Sequence, residues 1–366
     1  METVSQSQAE INALVNSCLQ RIATGPTMSK DLSRDEARQT MAAILADKVD
    51  PVQSAVFLIA LRMKRETPAE LRGVLDAICS AFTSTTAPVD ELIDLADPYD
   101  GYVRHVPASP FLPAVLAACG VPAISHGLRS VAPKYGVTHH LVLEKAGINV
   151  GMNPTQASER LADPDIGWSY IDQQVYLPAL HNLVELRRLI VKRSCITTLE
   201  TLAGPIHANN RTHVVTGYVH KDYAAIYTDL ARHAGFFSAL VIRGIEGGVI
   251  PLLNKSVICN SYHDNKPDKT ITLNPDDADI SADERGVFIP EGLYDGDNVD
   301  ITAVTELAAH LGLQALEGKP GLIRESLVYA AATCLMHVKR HTSWSAAAAA
   351  AREAIDSGNA LQRFRA

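Results

Sequence analysis

The chain lacks several features that would place it in a special class of protein at once. Its six cysteines include no CxxC pair, which argues against a zinc site or a redox dithiol and favours buried thiols. No apolar run approaches the roughly 18 to 20 residues of a membrane span. The first residues, METVSQSQAE, are polar and do not resemble a secretory signal. These absences predict a cytoplasmic protein.

An excess of positive charge is also lacking. The formal net charge of the 366 residues is −8, which disfavours nonspecific binding to nucleic acid but leaves room for a local basic groove. Hydrophobic residues make up 47% of the chain and charged residues 20%, as in an ordinary globular protein. A chain of this length is expected to bury a large core and to form two domains.

Helix signals follow one another near the start of the chain. An apolar pattern predicts a helix over Ile11–Ile22, and Ser33 is a candidate N-cap for a second helix with acidic residues in its first turn. The pairs Asp50-Pro51 and Thr67-Pro68 mark the starts of two more helices, because proline is favoured in a first helical turn. The sequence therefore predicts a small helical domain over residues 1–85.

From residue 86 onwards, short apolar segments alternate with amphipathic helical ones. This alternation predicts an α/β domain over residues 86–366, with a mostly parallel central sheet, crossover helices and a ligand site at the carboxyl ends of the strands. The polar, acidic segment Asn260–Asp300 is interpreted as a peripheral excursion rather than a catalytic lid. The strand candidates are Leu92–Leu95, Val121–Ile124, Val214–Val219, Ala239–Ile242 and Lys269–Leu273.

One loop, SHGLRSVAPKYGVT from Ser125 to Thr138, follows a predicted strand and precedes a helical run. Arg129 and Lys134 supply positive charge, and glycines such as Gly136 allow the backbone to approach a bound group closely. An anion, most simply a phosphate, is the expected guest at such a strand end. The alternative is a solvated connection without a ligand.

The amino-acid sequence of the helical region resembles that of a known family. LSRDEARQTMAAILADKVDPVQSAVFLIALRMKRETPAELRGVLDAI, Leu32–Ile78, is similar to the N-terminal helical domain of the anthranilate phosphoribosyltransferases and the related pyrimidine nucleoside phosphorylases. The resemblance continues to the C-terminus, where 353–361 resembles the family's final segment. It implies a cleft that binds a phosphorylated small molecule. It also implies a homodimer built by the helical domain together with helices near 175–200.

The 125–136 segment resembles the family's Lys-His-Gly-Asn-Arg motif and the Lys-Ser-Gly that follows it. Leu128 replaces an asparagine that touches the aromatic acceptor, so the resemblance implies an acceptor other than anthranilate. The residues that match, and to which the resemblance assigns phosphate or substrate contacts, are His126, Gly127, Arg129, Ser130 and Lys134.

The family has a glycine-rich loop that wraps phosphoribosyl pyrophosphate (PRPP). Residues 97–109 of this chain take its place and differ from it at most positions. Asp100-Gly101 and Ser109 are retained, whereas Pro98 donates no amide and Tyr99 fills space that glycine leaves open. Ser109 is expected to cap a helix, and the preceding Arg104 lies near that positive helix end. The resemblance and the local pattern together predict phosphate contacts from Asp100, Gly101, Arg104 and Ser109.

Two further segments bear on the chemistry. Arg187 matches the arginine that faces the anthranilate carboxylate in the family, which implies a role in orienting the acceptor; otherwise it is a solvated residue on a helix face. Val249 and Ile250 take the places of the family's Asp-Glu pair, so any Mg²⁺ would need other ligands. Glu246 and Arg243, on the same segment, are the candidate catalytic residues.

Two functions remain open at this point. The first is a glycosyltransferase that moves a pentosyl or phosphoribosyl group from a phosphorylated donor to an acceptor that is not anthranilate. The second is a non-catalytic paralogue that binds a phosphorylated metabolite or nucleic acid in the same cleft. The basic segment 186–193 keeps nucleic acid in consideration despite the acidic chain.

Overall fold

Four helices form the N-terminal part of the computed structural model, which describes residues 7–25, 27–264, 266–295 and 298–366. Ser33 and Thr67 each cap a helix through a capping box, and Asp50 caps the helix that begins at Pro51, so the three predicted helix starts are confirmed. Part of the polar N-terminal decapeptide lies outside the described residues. The four helices are α1 Gln8–Ile22, α2 Arg34–Leu45, α3 Pro51–Lys64 and α4 Pro68–Ser80.

A close crossing holds two of these helices together. A Cβ atom added at Gly73 on α4 would lie 2.2 Å from the carbonyl oxygen of Arg34 at the start of α2. Glycine is therefore required for the two helices to approach each other at this distance.

A seven-stranded sheet forms the centre of the second part. Its strands are β2 Glu91–Ala96, β3 Ala123–Gly127, β4 Trp168–Asp172, β6 Arg211–Gly217, β7 Ser238–Ile242, β8 Val257–His263 and β9 Lys269–Leu273. They lie in the order β4-β3-β2-β6-β7-β8-β9. The first five strands in this order are parallel, which confirms the predicted α/β class with a mostly parallel sheet. A separate short pair joins β1 Thr85–Ala87 to β5 Ile206–Ala208.

The last two strands differ from the prediction. β8 and β9 are antiparallel to their neighbours, because the connections before and between them contain no crossover helix. The start of the segment interpreted as a peripheral excursion is thus the edge of the central sheet. A small antiparallel pair, β10 Tyr294–Asp295 and β11 Asn298–Val299, lies near the end of that segment.

Helices cover both faces of the sheet. Side chains alternate between the faces along each strand: Ile93 and Leu95 of β2 pack with the C-terminal helices, whereas Leu92 and Ala96 share a core with the N-terminal helices. No described helix is long and apolar enough to cross a bilayer. The remaining helices are α5 Leu112–Ala118, α6 His139–Lys145, α7 Pro154–Ala162, α8 Gln173–Tyr176, α9 Pro178–His181, α10 Val184–Ile190, α11 Ile196–Leu199, α12 Tyr223–His233, α13 Ile301–Leu316, α14 Leu322–His337, α15 Trp344–Asp356 and α16 Asn359–Arg365.

Candidate functional site

A cleft of about 460 Å³ opens at the carboxyl ends of β2 and β6, where an α/β sheet is expected to bind ligands. We call it the strand-end cleft. The N-terminal helices contribute Arg62 to its wall. Its lining residues are Arg62, Ala96, Pro98, Asp100, Val103, Arg104, Lys134, Arg193, Ser194, Thr197, Thr198, Thr201, Thr216, Gly217, Tyr218, Val219, His220, Tyr223, Tyr227, Glu246 and Gly247.

Positive charge predominates in this lining. Lys134 directs its Nζ atom to the Gly101 carbonyl oxygen at 2.9 Å, and this ammonium also lies 3.5 Å from Asp100 and 3.8 Å from Glu246. Arg193 forms an ion pair with Asp100 at 2.7 Å. The lining therefore carries four cationic side chains, Arg62, Arg104, Lys134 and Arg193, against these two carboxylates. This excess of positive charge favours an anion in the cleft.

Glu246 occupies an unusual position in the wall of the cleft. Its carboxylate accepts hydrogen bonds from the backbone amides of Val103, Arg104 and His105 at 3.2, 2.8 and 2.9 Å, and His105 Nδ1 lies at 3.2 Å. Burial opposes ionisation, but the bonds from His105 and the amides, with the Lys134 charge, hold the pKa of Glu246 below its ordinary value. Three successive amides of this kind form an anion-binding nest, which this carboxylate fills.

The loop after β2 crosses the loop after β3 at two glycines. A Cβ atom on Gly101 would lie 2.7 Å from the carbonyl carbon of Gly136, and one on Gly136 would lie 2.6 Å from the amide nitrogen of Tyr102. Tyr102 and Val137 exchange backbone hydrogen bonds of 3.0 and 2.8 Å beside the crossing. Gly136 thus permits a close approach of two loops, and this crossing holds Lys134 over the cleft.

Hydroxyl groups form much of the remaining lining. Arg62 donates to the hydroxyl of Tyr223 at 2.5 Å, which links α3 to the start of α12. Tyr218 follows β6 and donates to the carbonyl oxygen of Ile258 at 3.0 Å. Hydroxyls can accept from an acceptor substrate or donate to phosphate oxygens. The hydroxyl-bearing lining residues are Ser194, Thr197, Thr198, Thr201, Thr216, Tyr218, Tyr223 and Tyr227.

Only some of the predicted binding residues meet in this cleft. Asp100, Arg104, Lys134 and Glu246 line it, and Gly101 contributes its carbonyl oxygen to Lys134. These residues come from three different strand-end loops, which explains why their proximity is not visible in the linear sequence.

Other residues of the phosphate prediction lie elsewhere. Arg129 is exposed and forms an ion pair with Glu144 at 2.8 Å, and Ser130 is exposed in the same loop. Gly127 ends β3, where an added Cβ would lie 3.5 Å from the Tyr170 hydroxyl. The 128–138 loop therefore places Lys134, but not Arg129 or Ser130, in the lining of the cleft.

His126 and Ser109 belong to buried polar networks. His126 is 1% exposed, with Nε2 2.7 Å from Asp94 and Nδ1 hydrogen-bonded to the Tyr99 hydroxyl. Ser109 is fully buried and donates to Asp97 at 2.9 Å.

The predicted N-cap role of Ser109 is wrong. A short 3₁₀ segment, Ser109–Phe111, begins there without a side-chain cap, because the Ser109 hydroxyl is engaged by Asp97 and by His139 at 2.9 Å.

Arg187 is not on a solvated face. It is 4% exposed and forms a bidentate ion pair with Glu200, with both N–O distances at 2.7 Å.

Arg243 is exposed and does not line the cleft. Val249 and Ile250 are buried in the core, 1% and 2% exposed, so they offer no oxygen ligands to a metal ion.

Sequence reasoning did not select several residues of the cleft. Arg193 belongs to the basic segment 186–193 of the sequence analysis, which does not select Arg62, Tyr218 or His220 as site residues. Tyr218 and His220 follow a strand that was predicted, so the rule that ligands bind at carboxyl strand ends could have identified them. Arg62 lies on a helix far from any strand in the sequence, and only its packing against α12 places it here.

Comparisons with known proteins agree with this architecture. Residues 105–361 match the model of a glycosyl transferase family α/β domain, and residues 7–81 match that of the family's helical bundle domain. An uncharacterized protein of Aquifex aeolicus is 32% identical over 232 residues, which cover 63% of this chain and 68% of that protein. Anthranilate phosphoribosyltransferase of Bradyrhizobium diazoefficiens is 25% identical over 352 residues, or 96% of this chain and 97% of that protein.

Solved structures show the same fold. Anthranilate phosphoribosyltransferase of Thermus thermophilus superposes with a TM-score of 0.72 at 20% identity, covering 96% of this chain and 97% of that chain. The Saccharomyces cerevisiae enzyme in complex with PRPP and Mg gives a TM-score of 0.76 at 17% identity, covering 96% of each chain. With both domain models matched over most of its length, this chain belongs to the glycosyl transferase family that joins a helical bundle domain to an α/β domain.

Proposed function

We propose that the strand-end cleft binds a phosphorylated pentosyl donor and that the protein transfers the pentosyl group to an acceptor other than anthranilate. The main support is the position of Lys134, Arg104 and Arg193 around a cleft at the carboxyl ends of the parallel strands. A yeast member of the same fold has been solved with PRPP and Mg, which makes PRPP the first donor to test.

The cationic groups would hold the phosphates of the donor. A guanidinium carries five N–H donors, and the contacts of Arg193 with Asp100 use only its Nε and Nη2 atoms. The Arg104 side chain is exposed at the same edge. Lys134, held by the Gly101 carbonyl, would place a third positive charge against the leaving group. Removing one such electrostatic contact typically slows a reaction by about 10²- to 10³-fold.

The residues present do not fit a magnesium site of the family's kind. The described residues contain no cluster of three or more His, Cys, Asp or Glu side chains arranged to hold a metal ion. Glu246 is already saturated by backbone amides, and Val249 and Ile250 are apolar. We therefore assign stabilisation of the leaving group to the lysine and arginines.

We infer that the acceptor has no carboxylate that must pair with a buried arginine. Arg187, which the resemblance assigns to the acceptor, is paired with Glu200, and both side chains are at most 4% exposed. Leu128 and Tyr99 are buried together in a small apolar cluster. An aromatic acid would have to displace these contacts, whereas an acceptor beside the hydroxyl groups of the cleft would not.

A second candidate is binding without transfer, and one observation favours it. The amides of residues 103–105, which could cradle a pyrophosphate, are occupied by Glu246. A non-catalytic paralogue would then retain a phosphorylated metabolite in the cleft. Nucleic acid is the weaker ligand, since within the basic segment 186–193 Arg187 pairs with Glu200 and Arg188 with Glu185.

Calorimetric titration tests these proposals. The protein is titrated with PRPP, with and without Mg²⁺, and with ribose 5-phosphate and pyrophosphate. We expect micromolar binding that Lys134→Ala removes and that Lys48→Ala, an exposed lysine on the helical domain, leaves unchanged. Binding by none of the three compounds would overturn the proposal. Loss of the thermal unfolding transition in Lys134→Ala would show that Lys134 is structural.

We further infer that two copies associate through the helical domain. α3 presents Val52 and Met63, 71% and 73% exposed, and Leu189 and Val191 on and after α10 are 63% and 64% exposed. Val52 and Met63 are eleven positions apart, which places them on one face of the helix. An exposed apolar face of this kind favours contact with another protein surface. A second copy is the partner that the family resemblance implies.

A further inference from the structure

A second cavity, of about 300 Å³, lies beside the β8–β9 hairpin and reaches the end of the sheet where the parallel strands begin. We call it the hairpin pocket, since the β8–β9 hairpin forms one side. His263 in its lining pairs with Ser238, the first residue of β7, whereas the strand-end cleft lies beyond the last residues of β2 and β6. Its lining residues are Leu240, Ser261, Tyr262, His263, Lys266, Pro267, Lys269, Ile271, Leu273, Thr333, Met336, His337, Lys339 and Trp344.

The lysines in the lining of this pocket have no acidic residue beside them in the lining. Lys266 and Lys269 come from the hairpin and Lys339 from the end of α14, and the lining contains no acidic residue. Among the described residues none of these lysines has a carboxylate oxygen within ion-pairing distance. The neighbouring Asp268 is paired with Arg232 at 2.7 Å. Three lysines without acidic partners around one cavity favour an anionic guest.

The backbone of Lys339 has a strained conformation. Its φ is 62°, in the left-handed region, directly after Val338, which caps α14. Glycine is the usual residue at this position because a Cβ atom is disfavoured in the left-handed conformation. Strained backbone of this kind occurs at ligand sites, and at Lys339 it coincides with the lining of the pocket.

The interior of the pocket is apolar and partly aromatic. Trp344, at the start of α15, is partly exposed, and Met336 and Ile271 lie beside it in the lining. Burial, and then the neighbouring histidines, hold the pKa of His337 well below its ordinary value, so this residue adds no positive charge to the interior. Positive charge is therefore confined to the lysines, while a planar ring has an apolar surface to contact.

We infer that the hairpin pocket binds a small anion that combines a planar apolar ring with a carboxylate or a phosphate. The ring lies against Trp344 and Met336, and the anionic group meets Lys266, Lys269 and Lys339. A volume of about 300 Å³ is at the lower end for small-molecule sites, which suits a ligand of one ring with one charged group. This site is separate from the strand-end cleft and does not depend on the function proposed for it.

Tryptophan fluorescence reports on this pocket selectively. The chain has two tryptophans, and Trp168 is fully buried against Phe364, so a surface ligand changes mainly the emission of Trp344. The probes are benzoate and phenyl phosphate, which separate the two anionic groups, and benzamide, which has the ring without the charge. For a fragment of this size we expect saturable binding of at least one anion at about millimolar concentration and at least tenfold weaker binding of benzamide.

Variants complete the test. Lys339→Gly removes the charge and relieves the left-handed backbone, so we expect at least tenfold weaker benzoate or phenyl phosphate binding without a fall in thermal stability. Lys48→Gln, on the helical domain, and Lys134→Ala, in the strand-end cleft, should bind the probes as wild type does. Equal binding of benzamide and the anions, or unchanged binding by Lys339→Gly, would overturn the inference.

Discussion

Glu246 directs a carboxylate to three backbone amides at the edge of the strand-end cleft. Its φ of 51° is left-handed, a conformation that costs a residue with a side chain about 1 kcal/mol. Hydrogen bonds between amides and a charged acceptor are strong enough to offset this cost. We therefore interpret Glu246 as an internal anion that orders the 103–105 loop rather than as a catalytic base.

The first prediction concerns Glu246→Gln. Glutamine keeps one acceptor oxygen, but its NH2 group must face an N–H donor and the negative charge beside Lys134 is lost. We therefore expect a loss of about 2 to 4 kcal/mol in unfolding free energy at neutral pH. Because the folded-state pKa of Glu246 lies below 4.5, the stability it contributes is fully present above that pH and is lost as the pH falls further.

Urea denaturation at a series of pH values measures both effects. The difference between wild type and Glu246→Gln should shrink below about pH 4.5. Glu306→Gln, at an exposed ion pair with Lys145, is the control. A difference that stays constant down to acidic pH would contradict the assignment.

The second prediction concerns the buried pair of Arg187 and Glu200. Arg187→Met leaves a fully buried carboxylate without its bidentate partner, so we expect a loss of about 3 to 5 kcal/mol. The double variant Arg187→Met/Glu200→Gln removes the charge, and Gln173 can still donate to position 200, so it should recover more than half of that loss. Denaturant midpoints of the three proteins measure this, and a double variant as unstable as the single one would contradict it.

At the scale of elements, the loops after β2 and β3 act as one unit. Where they cross, at Gly101 and Gly136, the two backbones are so close that a Cβ atom on either glycine would overlap with the other loop. Neither glycine is near the other in the sequence, and the expectation that Gly136 approaches a ligand was an interpretation of one loop alone. In the structure it approaches the other loop, and this contact positions Lys134.

The third prediction follows from that crossing. In Gly136→Ala, the new methyl would lie 2.6 Å from the Tyr102 amide nitrogen, so the loops must separate, with an expected loss of about 2 to 4 kcal/mol. Lys134 would move with its loop, and the affinity for pyrophosphate should fall in the same variant. The control is Gly151→Ala, where the nearest atom to an added Cβ is 3.6 Å away. Thermal unfolding and calorimetry measure the two effects, and equal behaviour of both variants would contradict the account.

Helices were easier to predict than strands. Ser33, Asp50 and Thr67 begin helices because their side chains accept from nearby backbone amides, a local property. β4 was missed because Ser169 and Asp172 interrupt its short apolar pattern. β8 was missed because it lies partly inside a polar segment, and its antiparallel direction depends on the length and content of distant connections.

Across the molecule as a whole, one hydrophobic core continues from the helical bundle to one face of the sheet. The bundle therefore supports the strands behind the strand-end cleft and supplies Arg62 to its wall. Apolar residues left exposed on α3 are not needed for this core, which agrees with the inferred contact between two copies.

The fourth prediction tests that contact. Val52→Glu/Met63→Glu places two charges on the exposed face of α3, and we expect a dimer to become a monomer because desolvating these carboxylates is unfavourable. Sedimentation velocity measures the mass of each protein. Ile258→Glu, at a residue 51% exposed on β8, is the control and should remain a dimer. A wild-type protein that sediments as a monomer would contradict the inference.

Local sequence patterns were enough to establish the fold class, the four N-terminal helices, most of the parallel strands and the family, because capping and hydrophobic periodicity act over a few residues and the resemblance extends over much of the chain. Together with the family resemblance, they also identified Asp100, Arg104, Lys134 and Glu246 as candidates for a ligand site. The contacts that these side chains make became visible only once the chain was folded. Whether Arg187 meets a substrate or Glu200, and whether the 103–105 amides meet a phosphate or Glu246, depends on packing between segments that are 13 to about 140 positions apart.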